Sequence, residues 1–454
     1  MTDFPDIEKL TDAESLAHYG RDWTRFWAPE PSAVVFPRST DDVVKLVRWA
    51  RAEKAALVPS GGRTGLSGGA VAPGGEVVVS FEKMRAVTEL DEVEPSITVQ
   101  AGTTIGEVQR RAADSELYYP VDWAAAESSQ AGGSVATNAG GIRVLRYGMT
   151  RDWVRGLTVV TGTGDVLELN RGLVKNNAGL DLRHLMIGSE GALGLITEVT
   201  FGLIDPPPQR SVLLLAFAGL ESVMPAFRAL RAGLELSAFE FFDSASVEHV
   251  ARATDAAFPL ETPAPFHAVV EFDDPDESRQ EAALEVFEKL AEDGHVVDGL
   301  ISQSQAQAEE LWHWREAISE SIAGRTPYKN DLSVRISAVP EFLTALDRLV
   351  ERHYPDFQVV WFGHIGDGNL HMNVLKPDDW SVDDFHAACN KLSPEVFALV
   401  GEFRGSLSAE HGVGLLKRDY LELIKSREEI GLMREIKRSF DPDGILNPGK
   451  LLKV

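Results

Sequence analysis

The sequence predicts an α+β fold of two or more domains, and three observations support this. At 454 residues the chain is longer than one ordinary hydrophobic core supports. Hydrophobic residues make up 44% and charged residues 25%, which is the composition of a globular protein. Short β-rich runs alternate with amphipathic helical segments in the first half, and a run of prolines divides the chain near its middle.

The first domain is assigned to residues 1–205. A β-rich run, Ala33–Phe36, precedes Ser39, a good N-cap for a helix that carries Asp41 and Asp42 in its first turn. Apolar residues at helical spacing extend this helix to about Lys54. The rest of the domain is predicted to contain the helix Thr104–Ser115 and the strands Leu57–Val58, Glu76–Phe81, Ile97–Ala101, Leu157–Thr161, Val166–Glu168 and Leu195–Leu203.

The run Asp205-Pro206-Pro207-Pro208 marks the domain boundary, because consecutive prolines continue neither a helix nor a central strand. Residues 209–405 are predicted to form an α+β domain with an antiparallel sheet, and residues 406–454 a mostly helical segment that packs back on the first domain. The elements predicted here are helices around Ser222–Leu236, Asp276–Asp293 and Ala306–Ala323, and strands at Ser211–Phe217, Ala268–Phe272 and Leu332–Ile336.

Charge and cysteine content limit the partners and the compartment. A formal net charge of -26 argues against nucleic acid as a partner, since its phosphates would be repelled. An anionic small substrate would need a local positive site made of Arg, Lys or a metal. One cysteine, Cys389, an N-terminus without a secretory pattern and the lack of an apolar run near ~20 residues predict a cytoplasmic protein with no transmembrane segment. A homodimer is the default expectation.

Three glycine-rich segments follow predicted strands of the first domain: Pro59–Gly69, Gly132–Gly148 and Ile187–Thr197. Glycine permits positive φ and lets backbone N–H groups approach a phosphate, while Thr137 and Asn138 can form hydrogen bonds with a ligand. A single such segment would be interpreted as a flexible surface loop. Three of them favour a long cofactor that lies across the domain, although Pro59–Gly69 is neither a G-x-G-x-x-G nor a Walker motif.

In this order, PSGGRTGLSGG, GGSVATNAGG and GSEGALG resemble the FAD-linked oxidases of the vanillyl-alcohol oxidase and p-cresol methylhydroxylase superfamily. The resemblance covers nearly the whole chain and implies a two-subdomain FAD-binding domain of the p-cresol methylhydroxylase type. Because Pro59–Gly69 contains neither histidine nor cysteine, the FAD is expected to be non-covalent. The residues implied to bind FAD are Pro59, Gly61, Gly62, Thr64, Gly65, Leu66, Ser67, Gly68, Ser134, Thr137, Asn138, Gly140, Gly141, Glu190, Gly191, Ile196 and Asn447.

The segment WFGHIGDGNLHMNV (Trp361–Val374) predicts a β-hairpin. Two apolar runs flank Asp367-Gly368, which favours the positive φ values of a two-residue turn. Such a turn would place His364 directly opposite His371, with their Cβ atoms ~5 Å apart and both imidazoles within reach of one ion. Asn373 would point to the same face. Partly exposed histidines without an ion are the alternative interpretation of the spacing alone.

A second segment, SAEHGVG, places Glu410 beside His411 ahead of glycines that permit a sharp turn. On its own it would be an ordinary polar loop. With the hairpin segment it resembles the metal-binding signature of the D-2-hydroxyglutarate and D-lactate dehydrogenase branch of the family. The resemblance implies that His364, His371 and Glu410 ligate a divalent ion, with zinc the expected metal. It also implies that Asn373 contacts the substrate and that His411 is the catalytic base.

The segment Leu311–Ile336 resembles the substrate-binding region of the D-2-hydroxyglutarate dehydrogenases. Arg315 and Ser319 are four residues apart on one predicted helix face, and Lys329 precedes a predicted strand. The resemblance implies that all three grip the substrate, with Ser319 in place of a threonine; the alternative is solvated surface charge. Two cations and a metal suit a dicarboxylate, D-2-hydroxyglutarate, better than lactate or glycolate.

The resemblance therefore implies FAD- and metal-dependent oxidation of D-2-hydroxyglutarate to 2-oxoglutarate, with hydride transfer to the flavin. One cysteine cannot hold an iron–sulfur cluster, so the electrons must pass to an external acceptor such as electron-transfer flavoprotein or a quinone-linked carrier. The alternatives are a D-lactate or glycolate dehydrogenase with the same site, an alkylglycerone-phosphate synthase, and a non-catalytic FAD-binding subunit. The complete set of candidate metal ligands and base argues against the last.

Overall fold

A computed structural model describes residues 3–24, 26–274 and 276–453. Its internal contacts divide the chain into two units. The first unit comprises the described residues of Met1–Gly141, Gly148–Pro206 and Glu410–Val454, and the second those of Ile142–Tyr147 and Pro207–Ala409.

The described residues form 16 strands and 15 α-helices. The strands are β1 (Glu8–Leu10), β2 (Ala33–Phe36), β3 (Leu57–Ser60), β4 (Val77–Ser80), β5 (Val87–Asp91), β6 (Ser96–Gln100), β7 (Val154–Thr161), β8 (Val166–Leu169), β9 (Gly194–Gly202), β10 (Arg210–Phe217), β11 (Leu236–Asp243), β12 (Phe266–Asp273), β13 (Asp298–Ile301), β14 (Tyr328–Ser333), β15 (Val359–Gly363) and β16 (Asn369–Val374). The α-helices are α1 (Ala13–Tyr19), α2 (Thr40–Glu53), α3 (Ile105–Asp114), α4 (Ala131–Thr137), α5 (Val144–Tyr147), α6 (Thr150–Trp153), α7 (Arg183–Met186), α8 (Val223–Gly233), α9 (Ser244–Thr254), α10 (Glu277–Glu292), α11 (Gln305–Glu316), α12 (Ile318–Ser321), α13 (Val339–His353), α14 (Val382–Glu402) and α15 (Arg427–Phe440).

The first unit contains two sheets. One has four strands in the order β1-β2-β4-β3, with β2, β4 and β3 parallel. The other has five antiparallel strands in the order β5-β6-β9-β7-β8. Ser39 caps α2 as predicted, since its hydroxyl accepts a hydrogen bond from the Asp42 N–H at 3.2 Å. Val43, Leu46, Val47 and Ala50 then face the four-stranded sheet and are fully buried.

The C-terminal stretch of the first unit pairs with its four-stranded sheet. Leu446 forms a parallel bridge with Leu57 of β3, and both residues are completely buried. The Asn447 N–H donates to the Leu57 carbonyl at 2.7 Å. This pairing places Asn447 beside the start of β3, just ahead of the first glycine-rich segment.

The second unit is built on one seven-stranded antiparallel sheet in the order β13-β10-β12-β11-β15-β16-β14. Every residue of β11 and β16 is buried, as expected for central strands covered on both faces. One face packs against α9, α11 and α12 through a single apolar cluster. The α+β class and the antiparallel sheet predicted from the sequence are confirmed.

A short segment, Ile142–Tyr147, joins the second unit although its neighbours in sequence belong to the first. The Arg143 guanidinium donates two hydrogen bonds to the Glu271 carboxylate, at 2.7 and 2.9 Å. Trp312 Nε1 donates to the same carboxylate at 3.1 Å. No sequence pattern predicted this membership.

The bounds of two predicted elements of the second unit are wrong, and a third element, the predicted helix Ala306–Ala323, is interrupted at Ala317. The helix predicted to reach Leu236 ends at Gly233, because Leu236 pairs with Phe272 at the start of β11. The strand predicted for Leu332–Ile336 instead spans Tyr328–Ser333, where pairing with β16 overrides the polar composition. Within the described parts of the chain, no helix is long and apolar enough to cross a bilayer.

Candidate functional site

The predicted hairpin forms, but its turn and register differ from the prediction. Phe362, rather than His364, is directly opposite His371. His364 accepts backbone hydrogen bonds from the N–H groups of Asp367 and Asn369, so the connection is longer than two residues. Only Gly368 of the dipeptide has positive φ, at 89°, which excludes a type I′ turn. The register shift is two residues, so the faces are kept.

Because the face is kept, the two histidines still meet. The ring centroids of His364 and His371 lie 5.4 Å apart, with the planes nearly perpendicular. Both side chains are buried, with 8% and 9% of their surface exposed. The two imidazoles are therefore neighbours as predicted, although the strand register differs from the predicted one. The alternative of partly exposed histidines does not apply, because both are buried.

Each imidazole has a buried carboxylate at its Nδ1. Glu240 of β11 lies 2.7 Å from His364 Nδ1, which is a hydrogen bond. Asp331 of β14 lies 3.8 Å from His371 Nδ1, an ion-pair distance longer than a hydrogen bond. Asp331 is itself fixed by the Asn369 side-chain amide at 2.8 Å. Neither carboxylate was singled out from the sequence.

The predicted substrate residues Lys329 and Asn373 face each other across β14 and β16. Asp331 and His371 form the next pair on the same face, so these four side chains share one surface of the sheet. The prediction that Lys329 precedes a strand is wrong, because it lies within β14. Desolvation lowers the pKa of the Lys329 ammonium, although part of its surface is exposed.

Arg315 and Ser319 do not share one environment. Arg315 lies near the end of α11 and is 9% exposed, whereas Ser319 is exposed on the separate helix α12. The helix predicted to hold both is interrupted at Ala317. Arg315 Nη2 lies 2.8 Å from Glu240 Oε2, and its guanidinium stacks over the Phe362 ring at 4.8 Å.

Arg315 keeps unused hydrogen-bonding capacity. The contact with Glu240 is ionic and poorly aligned: among the described residues, neither Arg315 Nε nor Glu240 Oε2 has a hydrogen-bond partner. A buried guanidinium N–H without a partner is costly unless a ligand satisfies it. Arg315 is therefore a suitable donor for a carboxylate ligand.

In the first unit, the segment Pro59–Gly69 leaves the end of β3 as a loop. A Cβ at Gly62 would lie 1.9 Å from the Ser128 carbonyl oxygen, so only glycine fits there. The Gly65 carbonyl accepts from the Trp23 N–H at 3.0 Å. Gly61, Gly62, Thr64, Gly65, Leu66, Ser67 and Gly68 all lie in this loop.

Two buried acceptors border this loop. Gln130 Oε1 lies 3.5 Å from the position of a Cβ at Gly61, and Asp22 Oδ2 lies 3.8 Å from that at Gly65. Neither oxygen has a hydrogen-bond partner among the residues that the structure describes. Burial raises the pKa of the Asp22 carboxyl. Such acceptors suit the hydroxyl groups of a ligand rather than its phosphates.

The second predicted segment forms α4 and the turn after it. The Ser134 and Thr137 hydroxyls donate to carbonyls of their own helix, at 2.9 and 3.0 Å. Asn138 ends the helix with a φ of 50° and accepts from the Arg151 N–H at 2.9 Å. Gly140 and Gly141 follow, and a Cβ at Gly141 would lie 1.9 Å from the Asp122 carbonyl oxygen. In this structure the side chains of Ser134, Thr137 and Asn138 form hydrogen bonds with backbone groups of the segment and its neighbours.

The third segment contains Glu190, Gly191 and, within β9, Ile196. The Glu190 carboxylate accepts from the Val413 N–H at 2.7 Å and the Gly414 N–H at 2.8 Å. Desolvation raises the pKa of Glu190, and the two N–H groups oppose this shift. Glu190 thus holds the loop that follows His411, a role that the sequence did not reveal.

Asn447 connects the first and third segments. Its side-chain amide donates to the Gly69 carbonyl at 2.9 Å and to the Glu190 carbonyl at 2.6 Å. It is 1% exposed and has a φ of 40°. Asn447 therefore fixes two of the three glycine-rich segments relative to each other.

Comparison with known proteins shows which family the chain belongs to. Residues 206–451 match the family model described as FAD linked oxidases, C-terminal domain, and residues 31–170 match the model described as FAD binding domain. The chain belongs to the FAD-linked oxidase family. The resemblance seen in the three glycine-rich segments is thereby confirmed, and an FAD-binding domain is present.

Relatives match this FAD-linked oxidase over nearly its whole length. It is 52% identical over 442 residues to the D-2-hydroxyglutarate dehydrogenase of Stutzerimonas stutzeri (strain A1501), covering 97% of this chain and 95% of the relative. It is 53% identical over 450 residues to the D-2-hydroxyglutarate dehydrogenase of Xanthomonas citri pv. viticola, covering 99% and 95%. The solved structure of p-cresol methylhydroxylase with substrate bound has the same fold, with a TM-score of 0.76, 16% identity and coverage of 98% and 93%.

Proposed function

We propose that the protein is an FAD-dependent dehydrogenase that oxidises D-2-hydroxyglutarate to 2-oxoglutarate. The observation that carries the proposal is whole-length identity of 52% and 53% with relatives named D-2-hydroxyglutarate dehydrogenase. The site residues were expected from the sequence, and their arrangement within each unit supports the same chemistry.

FAD fits the first unit. The loop Pro59–Gly69 offers backbone N–H groups for the pyrophosphate. Gln130 Oε1 and Asp22 Oδ2 offer acceptors for ribityl or ribose hydroxyls. A Cβ at Gly133 of α4 would meet no atom within 4 Å, which leaves space for a ligand beside this helix. Since Pro59–Gly69 contains neither histidine nor cysteine, FAD is bound non-covalently. When bound, it supplies the acceptor for two electrons.

A divalent ion, with zinc the expected metal, fits the donor set. His364 and His371 are neutral nitrogen donors held close together in the second unit. Ser406 pairs with Ser333 and the Ser408 hydroxyl lies 3.5 Å from Asp331 Oδ2, so the chain leading to Glu410 runs beside the strand that faces His371. Glu410 is two residues beyond Ser408, a distance of at most ~7 Å along the chain. When bound, the ion supplies Lewis-acid polarisation of the substrate oxygens.

The substrate residues favour a dicarboxylate. Arg315 offers a buried guanidinium with an N–H that is not satisfied by the described protein atoms, and Lys329 offers an ammonium beside Asn373. D-2-hydroxyglutarate has two carboxylates, whereas D-lactate and glycolate have one. The Ser319 hydroxyl has only a peripheral role in substrate binding, because Ser319 is exposed on α12. Substrate binding thus depends on Arg315, Lys329 and Asn373.

His411 is the general base. Imidazole titrates near neutral pH, so His411 can accept the proton of the C2 hydroxyl as C2 is oxidised to a ketone. Glu190 fixes the backbone immediately after it through Val413 and Gly414. A base held on such a loop keeps its orientation toward the substrate.

The partners stay predictions from the sequence. The chain has one cysteine, so electrons pass to an external acceptor such as electron-transfer flavoprotein or a quinone-linked carrier. A cytoplasmic location and a homodimer are likewise predicted.

A substrate panel tests the proposed function. Steady-state rates with an artificial electron acceptor are measured for D- and L-2-hydroxyglutarate, D-lactate, glycolate and D-malate. We expect the highest kcat/KM for D-2-hydroxyglutarate. A higher value for D-lactate or glycolate would identify the one-carboxylate alternative, and no turnover of any acid would favour a non-catalytic FAD-binding subunit.

A further inference from the structure

One carboxylate in the second unit lies between two of the proposed functional groups and has no assigned role. Glu240 is the only charged residue between Leu236 and Phe242 of β11, and it is 1% exposed. An ionised side chain buried to this extent needs partners. Its partners are His364 Nδ1 at 2.7 Å and Arg315 Nη2 at 2.8 Å.

We propose that Glu240 is a positioning residue that orients His364 for the divalent ion and Arg315 for the substrate carboxylate. The inference rests on the proposed function, since it assigns His364 to the ion and Arg315 to the substrate. Glu240 touches neither ligand and acts through these two side chains.

The contact with His364 determines which ring nitrogen binds the ion. With Nδ1 donating its hydrogen to Glu240, the neutral imidazole presents Nε2 as its lone-pair donor. A carboxylate behind a metal-ligating histidine fixes the ring orientation and makes the ligand nitrogen more basic. The His371 ring packs against the His364 ring, and Phe362 in turn packs against His371.

The contact with Arg315 balances the buried charge. The buried Glu240 carboxylate forms an ion pair with Arg315, which supplies the opposite charge that a buried acid needs. The guanidinium is also held flat over the Phe362 ring, at 4.8 Å from the centroid. Glu240 therefore fixes the end of Arg315, and Arg315 Nε stays available to a ligand.

A matched control exists on the neighbouring strand. Glu271 of β12 is also buried, at 3% exposed, and is also paired with an arginine, Arg143, but it contacts no histidine in the described structure. Substitution of Glu271 reports the general effect of removing a buried carboxylate from this sheet. A difference between the two positions isolates the effect on His364.

The experiment compares the wild-type holoenzyme with Glu240→Gln and Glu271→Gln. Each protein is stripped of metal, and the dissociation constant for Zn²⁺ is measured by competition with a chromophoric chelator. We expect Glu240→Gln to bind Zn²⁺ roughly 10- to 100-fold more weakly than the wild type, with Glu271→Gln unchanged. KM for D-2-hydroxyglutarate should also rise in Glu240→Gln. Flavin content and thermal unfolding confirm that each variant is folded.

The outcomes separate this inference from the proposed function. Equal Zn²⁺ affinity in the wild type and Glu240→Gln would overturn the inference and leave the proposed function standing. Equal weakening in both variants would also overturn it, because the effect would be general. A wild type that binds no Zn²⁺ would overturn the inference together with the proposed metal site. If Glu240→Gln does not fold, Glu240→Asp, which keeps the charge but is one methylene shorter, must show the same weakening.

Discussion

Lys329 and Asn373 are directly paired residues on the neighbouring antiparallel strands β14 and β16. Directly paired residues point to the same face of a sheet with Cβ atoms ~5 Å apart. The next pair on that face is Asp331 and His371, so Lys329 shares one surface of the sheet with a predicted metal ligand. We expect a carboxylate substrate to contact both residues from this one surface.

Replacing Lys329 tests its role in binding the substrate. Lys329→Met should raise KM for D-2-hydroxyglutarate about 10- to 100-fold, because a hydrogen bond between charged groups is lost. Lys329→Arg keeps the charge and serves as the control. Steady-state kinetics provide the measurement. An unchanged KM in Lys329→Met would show that Lys329 is a surface charge.

The pH dependence of KM gives a second test at this residue. Desolvation lowers the pKa of Lys329 below that of an ordinary lysine, so its charge is present at low pH and is lost as pH rises through the lowered value. KM for D-2-hydroxyglutarate should therefore rise at alkaline pH before an ordinary lysine would titrate. In Lys329→Arg this rise should disappear, since arginine stays protonated. A rise of the same size in that variant would assign the titration to another group.

His411→Gln should slow flavin reduction by about 10²- to 10⁴-fold while substrate still binds, because a general base is removed and the binding residues remain. Single-turnover stopped-flow absorbance at saturating substrate measures the reduction step. His295, a partly exposed histidine of the second unit, provides the control variant His295→Gln, which should reduce its flavin at the wild-type rate. Reduction of His411→Gln at that same rate would remove His411 from the chemistry.

Asn447→Ala should weaken FAD binding about 10-fold or more. The substitution removes the amide that satisfies the Gly69 and Glu190 carbonyls, and each buried group left unsatisfied costs about 1–3 kcal/mol. Asn170→Ala is the control: Asn170 also has positive φ, at 60°, and also donates to two carbonyls, at 2.7 Å each. FAD retention after gel filtration measures the effect. Equal loss of FAD from both variants would mean that Asn447 acts only through general stability.

His267→Phe should make the protein more resistant to acid. Burial lowers the pKa of His267 from 6.5 to about 4, so the folded state stays neutral while the unfolded chain takes up a proton below about 6.5. Stability is therefore lost as pH falls from about 6.5 to 4, by about 3 kcal/mol at most. His267 stacks on Phe242 at 5.6 Å, so phenylalanine preserves the packing.

The wild-type curve alone does not isolate this effect. Burial raises the pKa of Asp243 to about 6, and protonation of that carboxyl stabilises the folded state as pH falls below that value. The free energy of unfolding of both proteins, measured by denaturant titration between pH 7 and 4, gives the difference. A constant difference over this range would contradict the proposed titration of His267.

Local signals in the sequence predicted much of the fold. Ser39 and the two aspartates after it predicted the start of α2, and Ala33–Phe36 is the strand that forms. Strand β11 was missed because LSAFEFFD follows a helix without a turn signal: the predicted helix extended to Leu236, and the rest of the strand was assigned to no element. Lys329 was placed outside a strand because its polar neighbours hide a pairing that only β16 supplies. Pairing between strands that are distant in sequence cannot be predicted from the local preferences of the residues.

In the candidate site, the sequence predicted that two histidines lie close together, but it did not predict the carboxylates that contact them, Glu240 and Asp331. A shift of two residues preserved the face of His364, so the prediction of neighbouring imidazoles survived an incorrect register. Glu240 lies 124 residues before His364, and no spacing rule connects them. Its one signal was a single charge in the apolar run AFEFF, which indicates a buried carboxylate with a partner.

The most direct test of the proposed function is anaerobic reduction of the bound flavin by D-2-hydroxyglutarate, followed by absorbance with D-lactate in parallel and with metal removed. We expect rapid bleaching by D-2-hydroxyglutarate that is lost on chelation and restored by added divalent ion, with slower bleaching by D-lactate. Failure of D-2-hydroxyglutarate to bleach the flavin of metal-loaded protein would contradict the proposed function.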